Sequence, residues 1–341
     1  MALVRAQKEI RVLKALHWPD SVQRAFLKSK GRELPRVSYA PLGFDPRKKT
    51  EVLRAIVELL DPQDPIQGIL RDTALQYAEV VRMLDVRGTK SFYNSSCRLY
   101  GHPLEPFAGH STTSLDLAHH LDRIVSNDAA FLPVRGRGMT AEETALLLQK
   151  RMGRVFHDTR VHVEVSPFLT ADAAAGANRI RIKKGRLFNR ETIDYLEQHE
   201  GYVHIATTLN GMSQPYLPIL GKASPRAVRA NEGLAVFGEW ASHTMTVRRM
   251  RRLVDRVLAI RMAEEGADFL QVYANFLERG EVPAAAFDIA RRVFRGGDLR
   301  GGAPFTKDSS YLGDFLRIFN FARVAAKRRR MDLLELLFAG K

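Results

Sequence analysis

At 341 residues the chain is long enough for one large domain or two ordinary ones, and its 45% hydrophobic and 27% charged residues are the balance of a soluble globular protein. No apolar run approaches the roughly 18 residues of a membrane span, the start lacks a secretory signal's apolar core, and the lone Cys97 excludes an internal disulfide, so a cytoplasmic protein is expected. A formal charge of +15 favours an acidic partner, but no nucleic-acid motif or interleaved aromatics accompany it, so nucleic acid is not the expected one.

In chain order, the first third reads as helices between short breakers. Lys49–Leu60, Ile66–Leu84, Tyr93–Tyr100 and Ser114–Val125 carry apolar residues near helical spacing. A boundary is expected within Ser126–Gly138, which holds Pro133, Gly136 and Gly138. This separates a helical N-terminal region, 1–129, from a second domain, 130–341. Thr140 and Glu143 form a capping box that opens a helix to about Gly153. Val161–Val165 and Asn178–Lys183 alternate as strands of one small sheet, the second with Arg and Lys on one face and Ile on the other.

Asn189 can cap a helix running to about Leu209, which Asn210-Gly211 would end. Ser224-Pro225 reads as a helix start with Pro at the first position. Further helices are expected over Arg248–Glu264, Ala267–Arg279, Pro283–Arg295 and Ser310–Lys327. The basic clusters Arg248-Arg249-Met250-Arg251-Arg252 and Lys327-Arg328-Arg329-Arg330 read as solvated helix faces. Gly296–Gly302 is a glycine-rich loop, suited to tight turns or close approach to a ligand. The fold class expected is α+β and predominantly helical.

The chemistry concentrates in His199-Glu200-Gly201-Tyr202-Val203-His204. Zinc peptidases commonly carry two His ligands one helical turn apart, with a Glu general base after the first. Here the histidines are five residues apart, and in a regular helix that leaves them about 140° apart around the axis. A single widened turn of the π type would bring both to one face, and Gly201 lowers the local stiffness that resists it. With a single cysteine, a zinc site must draw on His and carboxylates rather than a cysteine cage. Glu232 and Glu239, seven apart, fall on one side of a later helix. Glu232 is assigned as the ligand and Glu239 as the acceptor orienting a histidine, with the reverse assignment open.

The stretch His199–His204, followed by Asn210-Gly211, Gln214-Pro215 and Asn231-Glu232-Gly233-Leu234-Ala235, resembles the microtubule-associated tyrosine carboxypeptidase family. Bacterial members carry a QEGLA motif and are linked in name to flavohaemoglobin expression. Phe305-Thr306-Lys307-Asp308 with Tyr311-Leu312 is similar to that family's C-terminal signature, and the resemblance is clearest from about Ala130 to Ala326. It implies a zincin-like catalytic domain with one Zn2+ held by His199, His204 and Glu232, and Glu200 as the catalytic carboxylate. Asn231 stands where many bacterial relatives have Gln, a change expected to spare the metal and alter a neighbouring hydrogen bond.

The activity implied is that of a zinc carboxypeptidase removing a C-terminal residue from a peptide or protein tail. An acidic tail would suit the excess positive charge. Tyr311 is the candidate extra hydrogen-bond donor to the reacting carbonyl, and Arg181, Lys183 and Lys307 are candidates to hold the substrate carboxylate. Two alternatives remain on sequence alone: a zinc aminopeptidase or endopeptidase, and a regulatory binding protein that keeps the fold without turnover.

Overall fold

The computed structural model describes residues 2–125, 138–157, 161–169 and 171–341. The expected boundary at 129/130, with all of the 126–138 loop except Gly138, lies outside them. Packing groups the chain into two units: Met1–His120 with Ser224–Arg226 and Val254–Ser310, and Leu121–Ala223 with Ala227–Leu253 and Tyr311–Lys341. The chain is predominantly helical with one small mixed sheet among the described residues, an α+β composition.

The first unit is helical because its sequence supplies clean starts. Asp45 and Asp64 each accept two backbone N–H groups ahead of a Pro at the first helical position, opening Pro46–Glu58 and Pro65–Asp85. Asp268 and Gln271 form a capping box at the head of Phe269–Glu278. The apolar face of Phe269–Glu278 closes with those of Asp20–Lys28 and Pro283–Phe294 on an aromatic core that includes Trp18, Phe26, Phe269, Phe287 and Phe294, all buried. Each such side chain contributes about 1.5–3 kcal/mol by leaving water. The glycine-rich loop is explained by this packing: a Cβ at Gly296 would stand 2.5 Å from Phe92, and one at Gly301 2.3 Å from the Gly266 carbonyl oxygen. Both glycines also have positive φ, +86° and +91°.

In the second unit the Thr140–Glu143 capping box opens Ala141–Val155 as expected. Strands β1 (His162–Ser166), β2 (Ala173–Gly176) and β3 (Arg179–Lys183) form a sheet in the order β1-β3-β2, with β1 parallel and β2 antiparallel to β3. The sequence does not announce β2: Ala173-Ala174-Ala175-Gly176 has little strand propensity, and pairing with β3 imposes its conformation. Alternation along β3 sends Ile180 and Ile182 inward, onto Leu148, Met152, Leu196 and Ile205. That apolar layer seats the histidine-bearing helix against the sheet.

Two helix ends differ from expectation. The helix opened by Asn189 does not stop at Asn210-Gly211 but runs to Met212. Gly211 serves close packing instead, since a Cβ there would come within 2.2 Å of the Leu220 backbone. Pro225 opens a turn with Arg226 instead, and the helix carrying Glu232 begins at Ala227 and ends at Ala241.

Candidate metal centre

Between α-helical turns at Arg190–Leu196 and Ala206–Met212, residues Glu197–Ile205 form a π-helix. The i→i+5 repeat brings residues five apart onto one face. The His199 and His204 rings accordingly stand 4.7 Å apart, nearly perpendicular. Gly201 matters here chiefly for space: a Cβ would lie 2.7 Å from the Met152 sulfur. The residue lets the widened turn sit down on the core.

Glu232 arrives from the helix Ala227–Ala241. Its Oε2 lies 3.3 Å from His199 Nε2 and 3.5 Å from His204 Nε2, and the three candidate ligand atoms lie within 4.8 Å of one another. Gly233 allows this approach, because a Cβ would meet the Asp314 backbone at 2.5 Å. All three side chains are nearly enclosed: 7% exposed for His199, 12% for His204 and 13% for Glu232.

The outer nitrogen of each imidazole is held separately. His199 Nδ1 lies 2.7 Å from Glu239 Oε1, and Arg249 grips the same carboxylate in a fork with both contacts at 2.8 Å. Burial opposes ionisation of Glu239, but Arg249 and His199 outweigh it and hold the carboxyl down at about 2. An ionised carboxylate can only accept, so His199 Nδ1 donates to it. His204 Nδ1 lies 2.6 Å from Asn231 Oδ1, while Asn231 Nδ2 donates to Thr207 Oγ1 at 3.2 Å. Thr207 in turn donates to the Val203 carbonyl. That chain orients the amide, so His204 Nδ1 also donates and both Nε2 atoms turn toward Glu232.

Burial opposes a charge on His199, yet Glu232 and Glu239 outweigh it and lift the imidazole to about 9. Glu200, buried beside the histidines, accepts the Ala175 N–H of β2 on its Oε2 at 2.8 Å. Tyr311 is nearly buried, its ring stacked on His199 at 6.4 Å and 24°.

The candidate carboxylate-binding residues fall on different elements. Arg181 and Lys183 lie on the face of β3 opposite Ile180 and Ile182, and Arg181 pairs across the sheet with Glu164 at 3.0 Å. Period-two alternation directs them away from the helix they were expected to serve. Lys307 belongs to the first unit, buried in the short turn Thr306–Ser309. Arg249 corrects the reading of its cluster as a solvated face: it is 5% exposed, with its guanidinium 4.8 Å from the centre of the Tyr195 ring. Arg251 of the same run is buried as well, and a run of arginines on a helix carries no sign of which ones turn inward.

The model of one protein family, described as microtubule-associated tyrosine carboxypeptidase, matches residues 24–341, nearly the whole chain. No curated protein matches it.

Proposed function

The chain belongs to the microtubule-associated tyrosine carboxypeptidase family, a family of peptide hydrolases, and from that premise we propose that it is a zinc-dependent carboxypeptidase with a zincin-like centre. His199, His204 and Glu232 are the proposed ligands of one Zn2+, and Glu200 is the proposed general base. The observation that carries this reading is the convergence of the three donor atoms, with the far nitrogen of each imidazole committed to Glu239 or Asn231. Two imidazoles, once His199 gives up its Nε2 proton to metal binding, and a carboxylate would suit zinc.

A zinc ion held there would supply a Lewis acid that acidifies water and polarises the scissile carbonyl. The remaining work falls to the chain's own groups. The Ala175 N–H fixes one oxygen of Glu200, leaving the other to take a proton from the attacking water. As the new C–O bond forms and the C–N bond breaks, Glu200 passes that proton to the leaving amine. Tyr311, beside His199, donates a hydrogen bond to the carbonyl oxygen as it gains charge. The carboxypeptidase direction rests on the family's description, and the net charge of +15 suits an acidic protein tail as substrate.

The test is a peptide library with varied C-termini, read by mass spectrometry for wild type and Glu200→Gln. Loss of single C-terminal residues by wild type alone is expected. Internal cleavage products would replace the carboxypeptidase assignment with an endopeptidase one, and equal cleavage by Glu200→Gln would remove Glu200 from the mechanism.

A further inference from the structure

The second unit holds a peptide segment of its own beside the histidine cluster. After the short helix Asp332–Leu336, Leu337 and Phe338 pack against Val203, Leu234, Ala235 and Ile318. Val203 lies inside the histidine motif and Leu234 two residues after Glu232. This apolar anchor therefore sits on the two elements that carry the candidate ligands.

Beyond it, the segment is gripped through its main chain. Asn210 Nδ2 donates to the Phe338 carbonyl at 2.9 Å, and Gln214 Nε2 donates to the Ala339 carbonyl at 3.4 Å. The Lys341 N–H donates to the Leu220 carbonyl at 2.7 Å. None of these bonds reads a side chain of the segment, which is how a site binds peptides of differing sequence. The approach is close: a Cβ at position 340 would stand 2.8 Å from the Leu220 Cβ, so Gly340 alone fits. Lys341 is half-buried and its ammonium lies within the field of the Glu200 and Glu232 carboxylates. A segment held by its backbone thus brings a lysine within electrostatic reach of the two acidic groups assigned to catalysis and metal binding.

We infer that Asn210, Gln214 and the Leu220 carbonyl form a subsite for the backbone of a peptide ligand, and that residues 338–341 occupy it as an intramolecular competitor. Identifying that ligand with substrate rests on the peptidase reading above; the occupancy itself does not. A tethered occupant competes at an effective concentration on the order of millimolar. Releasing it therefore uncovers affinity for the same sequence added from outside.

The experiment uses the full chain and an amidated, fluorescently labelled peptide, Leu-Leu-Phe-Ala-Gly-Lys, with binding read by anisotropy. Gly340→Val should expel the segment by collision with Leu220 and raise affinity for the added peptide roughly tenfold or more over wild type. Adding Asn210→Ala and Gln214→Ala should abolish the gain. Equal affinity of wild type and Gly340→Val, or a gain that survives the double substitution, overturns the inference. Hydrogen exchange on the unsubstituted chain supplies a second reading should Gly340→Val fail to fold. Saturating peptide should accelerate exchange at the Lys341 amide, and unchanged exchange overturns the inference equally. Tight binding without hydrolysis of any peptide would defeat the peptidase reading and leave the occupancy standing; hydrolysis with no difference in binding would do the reverse.

Discussion

Each unit contains a buried carboxylate gripped by an arginine fork, and the two differ in what else the carboxylate touches. In the first unit Arg292 binds both oxygens of Asp308, with Arg256 at 3.9 Å. Every partner of Asp308 among the described residues is an arginine of that unit. In the second unit Arg249 binds both oxygens of Glu239, which also takes the Nδ1 proton of His199. The first clamp ties the turn Thr306–Ser309 to the helix Pro283–Phe294. The second transmits the position of a helix to an imidazole. Similar ion pairs therefore serve cohesion in one place and orientation in the other, and the third partner makes the difference.

The comparison can be broken at several points. The largest effect belongs to the ligands themselves: His204→Ala should take zinc from about one per chain to none by metal analysis, while Asp308→Ala leaves it unchanged. Glu200→Gln should keep the metal and lower peptide hydrolysis by roughly 10²–10⁴-fold, which steady-state kinetics on zinc-loaded protein will read. Asp308→Ala strands partly buried arginines around a buried site and should cost about 3–5 kcal/mol of stability in denaturant unfolding. Glu239→Gln should weaken zinc affinity by about 10–100-fold, measured by chelator competition. If Asp308→Ala weakened zinc as much, the distinction between the two clamps would collapse.

Acid sharpens the same contrast. Burial opposes ionisation of Asp308, but Arg292, Arg256 and Arg295 outweigh it and hold the carboxyl well below its usual 3.8. A depressed folded-state value means that its stabilisation is complete above 3.8 and lost as pH falls toward the lower value. Asp308→Asn should therefore flatten that acid limb in unfolding measurements across the acid range. The smallest effect is expected at Gly201→Ala, where the new Cβ meets the Met152 sulfur at 2.7 Å. Overpacking there should cost about 1–3 kcal/mol.

Local chemistry made much of the architecture readable. The capping box at Thr140, the Asn189 cap and the alternation of Arg179–Lys183 are short-range signals, and each element formed where they indicate. Spacing alone also announced the widened turn, since five residues between histidines cannot share one face of a regular helix. Strand β2 was not legible, because its Ala and Gly residues take their conformation from a partner strand. The inward turn of Arg249 was equally hidden, for its reason lies in Glu239, ten residues away on another helix.

The sequence by itself determined that two histidines and a glutamate would share one helical segment, and which residue types could complete the set. The sequence favoured Glu232 over Glu239 as the residue facing the imidazoles and left the reverse open; the tertiary structure closes that choice, with Glu232 at both Nε2 atoms and Glu239 behind His199. Glu232 and Glu239 lie on one side of their helix by periodicity. Neighbours from elsewhere in the chain separate their roles: Arg249 claims both oxygens of Glu239, while Glu232 meets both Nε2 atoms. Periodicity orients a side chain about its own helix axis. What that side chain meets depends on contacts distant in sequence, and those exist only in the folded chain.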